Sequence, residues 1–142
     1  MVCTEAIATL TFVDSGVLIA AFRGQDEIAR RAITVLNDAN RRFASSRFIQ
    51  LEVLPKPIYE RRSREVAFYR DFFAGVLRWA EPLETLMSNA EQEAAANGLS
   101  GLDALHIAAA VLLGVDELIT TEHAASPLFR PKHVLVTSLY GF

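Results

Sequence analysis

Residues 8–16 read Ala8-Thr9-Leu10-Thr11-Phe12-Val13-Asp14-Ser15-Gly16. The first six are small, β-branched and apolar residues without a break, and the last three are turn formers. This pattern predicts a buried strand that runs straight into a strand-to-helix turn, with Asp14 just past the strand's end. Working outward, residues 26–42 place Ile28, Ala32, Val35, Leu36 and Ala39 on one face of an amphipathic helix. Phe43 to Ser45 suits a second short strand, and Ser45 or Ser46 can cap a helix carrying Phe48, Leu51, Glu52 and Val53, which Pro55 and Pro57 should end.

Residues 62–80 form a long amphipathic pattern, with Val66, Tyr69, Phe73, Val76 and Ala80 along one stripe. A strand is expected over 81–86 and a helix over 88–97, stopped by Gly98. A nearly all-apolar helix over 100–113, a Gly114 stop and a strand over 117–120 follow, and residues 133–138 read as the last strand. Short apolar strands alternating with helices predict an α/β fold with helices on both faces of a central, mostly parallel sheet. Neither repeats nor a linker interrupts residues 1–142, so one domain is expected.

The composition is that of a globular chain: 51% hydrophobic and 22% charged. A lone cysteine, Cys3, excludes an internal disulfide and suits a reducing compartment. The N-terminus shows no basic stretch leading into an apolar run, so no signal peptide is expected. The longest apolar run, residues 102–115, contains Asp103 and His106 and is too short to cross a bilayer. The expectation is a cytoplasmic protein without a membrane partner.

The net charge of −3 is unevenly spread. Residues 1–80 hold 12 Lys and Arg against 9 Asp and Glu, whereas residues 81–142 hold 2 against 8. The basic residues are mostly arginine, whose planar fork suits phosphate. Solvated helix faces account for such a distribution equally well, so it permits a nucleic-acid partner without requiring one.

Four acids stand out. Asp14 and Glu122 each lie just past a strand end, so in parallel neighbouring strands they face one crevice at the carboxyl edge. Asp103 is in the first turn of an otherwise apolar helix, and Glu52 is flanked by Leu51, Val53 and Leu54. Each has a plain alternative: a capping box between Ser100 and Asp103, a turn role for Asp14, a cap for Glu122, a solvated stripe for Glu52. Jointly they suggest a cation site, because gathered carboxylates repel unless protonated or neutralised. Oxygen-only ligands suit Mg²⁺ or Mn²⁺, which activate water in phosphodiester hydrolysis.

Four stretches resemble the PIN-domain family, and its VapC-type toxin branch in particular. They are Phe12-Val13-Asp14-Ser15-Gly16-Val17-Leu18-Ile19, Ile49-Gln50-Leu51-Glu52-Val53, Asp103-Ala104-Leu105-His106-Ile107-Ala108-Ala109-Ala110, and Leu118-Ile119-Thr120-Thr121-Glu122. The third is the closest in pattern, and residues 133–139 resemble the family's last strand. The resemblance implies a three-layer α/β/α PIN-like fold and metal-dependent hydrolysis of RNA by a metal-activated water. It also implies that Asp14, Glu52, Asp103 and Glu122 hold Mg²⁺ or Mn²⁺, directly or through water, with Ser15 and Thr120 supporting them through hydroxyl hydrogen bonds. A homodimer and a small antitoxin partner follow from the same likeness. Two departures stand out: Glu122 replaces the family's usual Asp, and Phe129 comes later than the aromatic that normally follows this acid.

Arg61, Arg62 and Arg64 are candidates for RNA phosphates or for an acidic antitoxin segment. Phe68, Tyr69, Phe72, Phe73 and Trp79 fit a core or partner-helix surface better than base stacking. His106 and His123 lie near the acids, but no Cys/His spacing supports zinc, and His106 fits a hydrogen-bonded core role. A receiver domain would need an acid pair on the first strand, and an Asp-x-Asp phosphatase would need an acid where Gly16 stands. The remaining alternative is a non-catalytic PIN-like module that binds RNA or a protein, with DNA hydrolysis as a variant of the enzymatic reading.

Overall fold

The computed structural model describes residues 8–141; Cys3 lies outside them. Strand β1 (Thr9–Val13) ends with Phe12 and Val13 wholly buried, and helix α1 (Ser15–Arg23) starts at once. Asp14 is the α1 N-cap, accepting the Val17 amide at 3.2 Å. A short polar side chain that accepts a hydrogen bond is what an open helix start needs.

Helix α2 (Glu27–Leu36) leads to β2 (Arg41–Ser45), and α3 (Arg47–Val53) follows. Then come α4 (Pro55–Tyr59), α5 (Ser63–Ala74), β3 (Arg78–Trp79), α6 (Leu83–Asn97), α7 (Gly101–Leu113) and β4 (Glu117–Thr120). A 3₁₀ turn (Pro127–Phe129), β5 (Val136–Ser138) and a second 3₁₀ turn (Leu139–Gly141) complete the fold. Gly98 and Gly114 close α6 and α7 with φ of 64° and 62°, left-handed geometry that a side chain resists.

The sheet has the order β3-β2-β1-β4-β5, and every pairing is parallel. Among the described residues, seven helices flank it, giving the three-layer α/β/α arrangement. Residues 104–110 of α7 are all buried, so this helix is apolar all round because it lies inside the domain. With β1 flanked by β2 and β4, the chain leaves the sheet's centre in both directions. That reversal is a topological switch point, and Asp14 lies at it, just past the carboxyl end of β1.

Several boundaries differ from those expected. The 26–42 helix stops at Leu36, and Arg41 and Arg42 belong to β2. Arg41 is tolerated there because it donates to Asp38, Thr11 and Glu117 at 2.8–3.2 Å. As expected, α3 ends at Val53, just before Pro55; Pro55 then opens the short α4, since a first-turn residue has no amide bond to lose. The 62–80 helix ends at Ala74; Val76 and Ala80 lie on either side of β3, and the strand expected over 81–86 gives way to the start of α6. The last strand is shorter than 133–138, beginning at Val136.

Candidate active site

Register brings the first two acids together. Val13 pairs with Ile119, and the Asp14 amide donates to the Ile119 carbonyl at 3.1 Å, so Asp14 sits level with Thr120. The Thr120 hydroxyl donates to Asp14 Oδ2 and accepts the Glu122 amide at 3.0 Å. One buried threonine therefore links the carboxylate of Asp14 to the backbone of Glu122. The Glu122 side chain is exposed at this edge, where its charge acts on Asp14.

Asp14 is 8% exposed, and its pKa is pushed up to about 6. Burial is the main cause, with the Glu122 charge a smaller contribution in the same direction; the Thr120 bond, His106 and the Val17 amide pull the other way. Ionising this carboxylate therefore costs free energy in the fold, a cost that a proton or a nearby cation would relieve.

Glu52, near the end of α3, accepts the Ser15 hydroxyl on Oε2 at 3.1 Å. Its Oε1 lies 2.7 Å from His106 Nε2. That pair is close but not aligned as a hydrogen bond, so the buried Oε1 has no aligned donor although the imidazole lies beside it. Burial acts to raise the Glu52 pKa, but His106 and Ser15 outweigh it and hold the carboxyl below its usual value. His106 itself is buried, with its ring 6.1 Å from that of Phe12 and its Nδ1 without a partner. It is thus a core residue in contact with Glu52.

Asp103 is half-buried in the first turn of α7, one turn before His106 on the same helix. Ser100 Oγ accepts its amide at 3.3 Å, which is one half of a capping box. Among the described residues, no three Asp, Glu, His or Cys side chains converge closely enough to hold an ion as they stand. The donor set nevertheless fits a hard dication: every candidate ligand atom is a carboxylate oxygen, Asp14 is buried with a raised pKa, and Glu52 Oε1 lacks an aligned donor. Asp103 is half-buried and Glu122 exposed.

Two supporting residues escape inspection of the sequence. A Cβ built on Gly16 would meet Thr121 Oγ1 at 2.1 Å, so Thr121 packs against the first turn of α1, where only glycine leaves room. Gly16→Ala is expected to cost about 1 kcal/mol, because the Thr121 hydroxyl must rotate away, which thermal unfolding measures. Ser138 is the second: it donates to the Glu122 carbonyl at 2.6 Å and so anchors the Glu122 loop to β5. Its placement opposite Thr120 depends on strand register, which local patterns do not carry.

The arginines lie elsewhere. Arg62 is occupied by Glu60 at 2.8 Å and Glu65 at 3.7 Å. With Arg61, which has a left-handed φ of 56°, it borders an open groove of about 680 Å³ along α4 and α5 that also takes in Ile58, Val66 and Arg70. Arg64 borders a neighbouring hollow beside Phe22. The aromatics pack among themselves: Phe72 on Phe73, Phe73 on Trp79, Phe68 on Tyr69, with Tyr69 and Phe73 in the core.

The structure is thus a parallel α/β domain with a buried carboxylate, Asp14, at its topological switch point. The chain belongs to the PIN domain family, whose profile matches residues 11–126. PIN domains are in general nucleases. The fold is shared with a chain of the toxin–antitoxin complex from Klebsiella pneumoniae, at 21% identity and a TM-score of 0.65 over 92% of this chain and 98% of that one. It is also shared with VapBC2 from Rickettsia felis, solved with a DNA fragment from its promoter, at 12% identity and a TM-score of 0.67 over the same shares. DNA-bound VapBC from Salmonella typhimurium is similar at 15% identity and a TM-score of 0.60, covering 92% of this chain and 98% of its counterpart. No curated protein sequence matches significantly.

Proposed function

We propose that this protein is a divalent-cation-dependent endoribonuclease and the VapC-type toxin of a toxin–antitoxin pair. The observation that carries the reading is Asp14: a carboxylate buried at the switch point, tied to the Glu122 backbone through Thr120, with a pKa of about 6. Burial of that kind is costly unless a proton or a cation compensates it. Asp14, Glu52, Asp103 and Glu122 would hold Mg²⁺ or Mn²⁺, directly or through water. Such an ion, when bound, supplies an activated water at neutral pH and stabilises the leaving oxygen of a phosphodiester.

The protein's own groups prepare the site. Thr120 fixes the Asp14 carboxylate, while Ser15 and His106 fix Glu52 from opposite elements, α1 and α7. Preset carboxylates need little reorganisation when substrate arrives. No side chain forms a covalent intermediate in this scheme.

The structural neighbours from Klebsiella, Rickettsia and Salmonella come from toxin–antitoxin assemblies, which supports a small antitoxin as partner. Exposed Leu51, Ile58, Tyr59, Leu77 and Leu135 leave apolar surface for such a partner and for a second copy of the chain. Arg61, Arg62 and Arg64 would meet an acidic partner or RNA phosphates. Among the described residues no single helix is long and apolar enough to cross a membrane, and a cytoplasmic location is part of the proposal.

The test is cleavage of labelled single-stranded RNA beside DNA of the same sequence. RNA should be cut in Mg²⁺ or Mn²⁺ and stay intact in EDTA, with the DNA spared. RNA that survives all conditions, or cutting that persists in EDTA, would contradict the proposal and favour a binding module.

A further inference from the structure

Beyond the acids, the same sheet edge carries a ring pair. Thr120 and Ser138 are register partners on β4 and β5, so the residues just after them leave the sheet side by side. Glu122 and His123 follow Thr120, and Tyr140 follows Ser138. The His123 and Tyr140 rings stack with centroids 4.0 Å apart and planes inclined by only 28°. Both residues are exposed, Tyr140 by 49%.

The pair is anchored from beneath. Ser138 Oγ donates to the Glu122 carbonyl and accepts the Tyr140 amide at 3.1 Å. One hydroxyl thus ties together the two loops that carry an acid and two rings. Rings serving only to tie the loops together would be more stable covered, since exposed aromatic surface forgoes its burial energy. Here the stack stays open beside the residue that would hold the cation.

We propose that His123 and Tyr140 form a stacking platform for one nucleobase of single-stranded RNA, flanking the acidic pocket on its β5 side. An exposed aromatic face accepts any base through stacking, whereas the base of a paired strand is already stacked on its neighbours and unavailable. The acids act on the phosphodiester and the platform holds an adjacent nucleoside, so the platform contributes affinity and a preference for unpaired RNA. This inference rests on the ribonuclease reading above.

The experiment is single-turnover cleavage, in Mn²⁺, of a mixed-sequence pool of short labelled single-stranded RNAs. It compares wild type with His123→Ala, Tyr140→Leu and Tyr140→Phe, with melting temperatures as the check on folding. His123→Ala and Tyr140→Leu should raise the protein concentration giving half-maximal rate roughly tenfold, leave the maximal rate unchanged, and Tyr140→Phe should match wild type. Folded variants that cut like wild type, or that lose maximal rate without any change in half-saturation, would overturn the platform while leaving the ribonuclease reading intact. A wild-type protein that cuts no RNA would overturn both.

Discussion

Asp14→Asn is expected to reduce RNA cleavage severely and, at the same time, to make the cation-free protein more stable. The sign follows from the raised pKa. In the unfolded chain this carboxyl titrates near 3.8, and in the folded protein near 6. The folded state therefore binds the proton more tightly, and the stability from protonated Asp14 is present below pH 3.8 and lost as pH rises through 6. Above that, keeping Asp14 ionised costs on the order of 3 kcal/mol, since each tenfold difference in proton affinity is worth about 1.4 kcal/mol.

Asparagine removes that charge and can still accept the Val17 amide, though the Thr120 hydroxyl must turn. The net gain should be about 1–3 kcal/mol, or a rise of several degrees in melting temperature near pH 8 that vanishes near pH 4. Cleavage should fall by about two orders of magnitude or more, as expected for removing a charge aimed at the reaction centre. Saturating Mn²⁺ should stabilise wild type and not the variant. Cation affinity in wild type should also weaken below about pH 6, where protons compete for Asp14. Thermal unfolding across pH, with and without Mn²⁺, measures all of these; a variant less stable than wild type at pH 8 would contradict the account.

Glu65→Ala is expected to have the opposite character: a large loss of stability with little effect on chemistry. Glu65 is 3% exposed on α5 and accepts the Tyr69 hydroxyl at 2.8 Å and Arg23 Nε at 2.9 Å, with Arg62 nearby. Burial acts to raise its pKa, and Tyr69 and the two arginines outweigh it, so the carboxyl sits below its usual value. Burial and the same carboxylate push the Tyr69 hydroxyl well up. Removing the glutamate strands the buried Tyr69 hydroxyl, whereas the partly exposed Arg23 and Arg62 can turn to solvent, so the loss is about 2 kcal/mol.

The depressed pKa means that Glu65's contribution is present above pH 4.5 and fades as pH falls through its folded value. Melting temperature should drop by several degrees near neutrality. The cleavage rate per folded molecule should match wild type. By contrast, removing the exposed Arg30–Glu27 pair should change stability by well under 1 kcal/mol. A Glu65→Ala protein that melts like wild type would show that the network is solvated rather than buried.

What the sequence makes legible here is what depends on neighbouring residues. The β1 run, its arrest at Asp14, the apolar α7 with its Ser100 cap and Gly114 stop, and the β4 bounds all follow from local pattern and turn chemistry. The misplaced elements are those where a distant partner overrides the local pattern. Arg41 and Arg42 look like a helix tail, yet Arg41 enters β2 because Glu117 and Thr11 await it on other strands. Val76 and Ala80 continue the stripe of α5 by spacing, yet β3 forms next to β2 after Gly75.

The candidate site divides the same way. Asp14, Asp103 and Glu122 stand out because each is an acid at an element's end, and Glu52 because apolar residues surround it. The His106 contact with Glu52, the Ser138 anchor and the His123–Tyr140 stack join residues 16 to 54 positions apart, and only the fold brings them together.

The most direct test of the central claim, that the four acids form one cation-dependent site, is single-turnover cleavage of labelled single-stranded RNA in Mn²⁺. Wild type would be compared with Asp14→Asn, Glu52→Gln, Asp103→Asn and Glu122→Gln. Cutting by wild type that is lost in EDTA, restored by added Mn²⁺ and severely reduced in each folded variant is the expected result. Wild-type rates in the Asp14 and Asp103 variants, or cutting indifferent to EDTA, would place the chemistry elsewhere and contradict the claim.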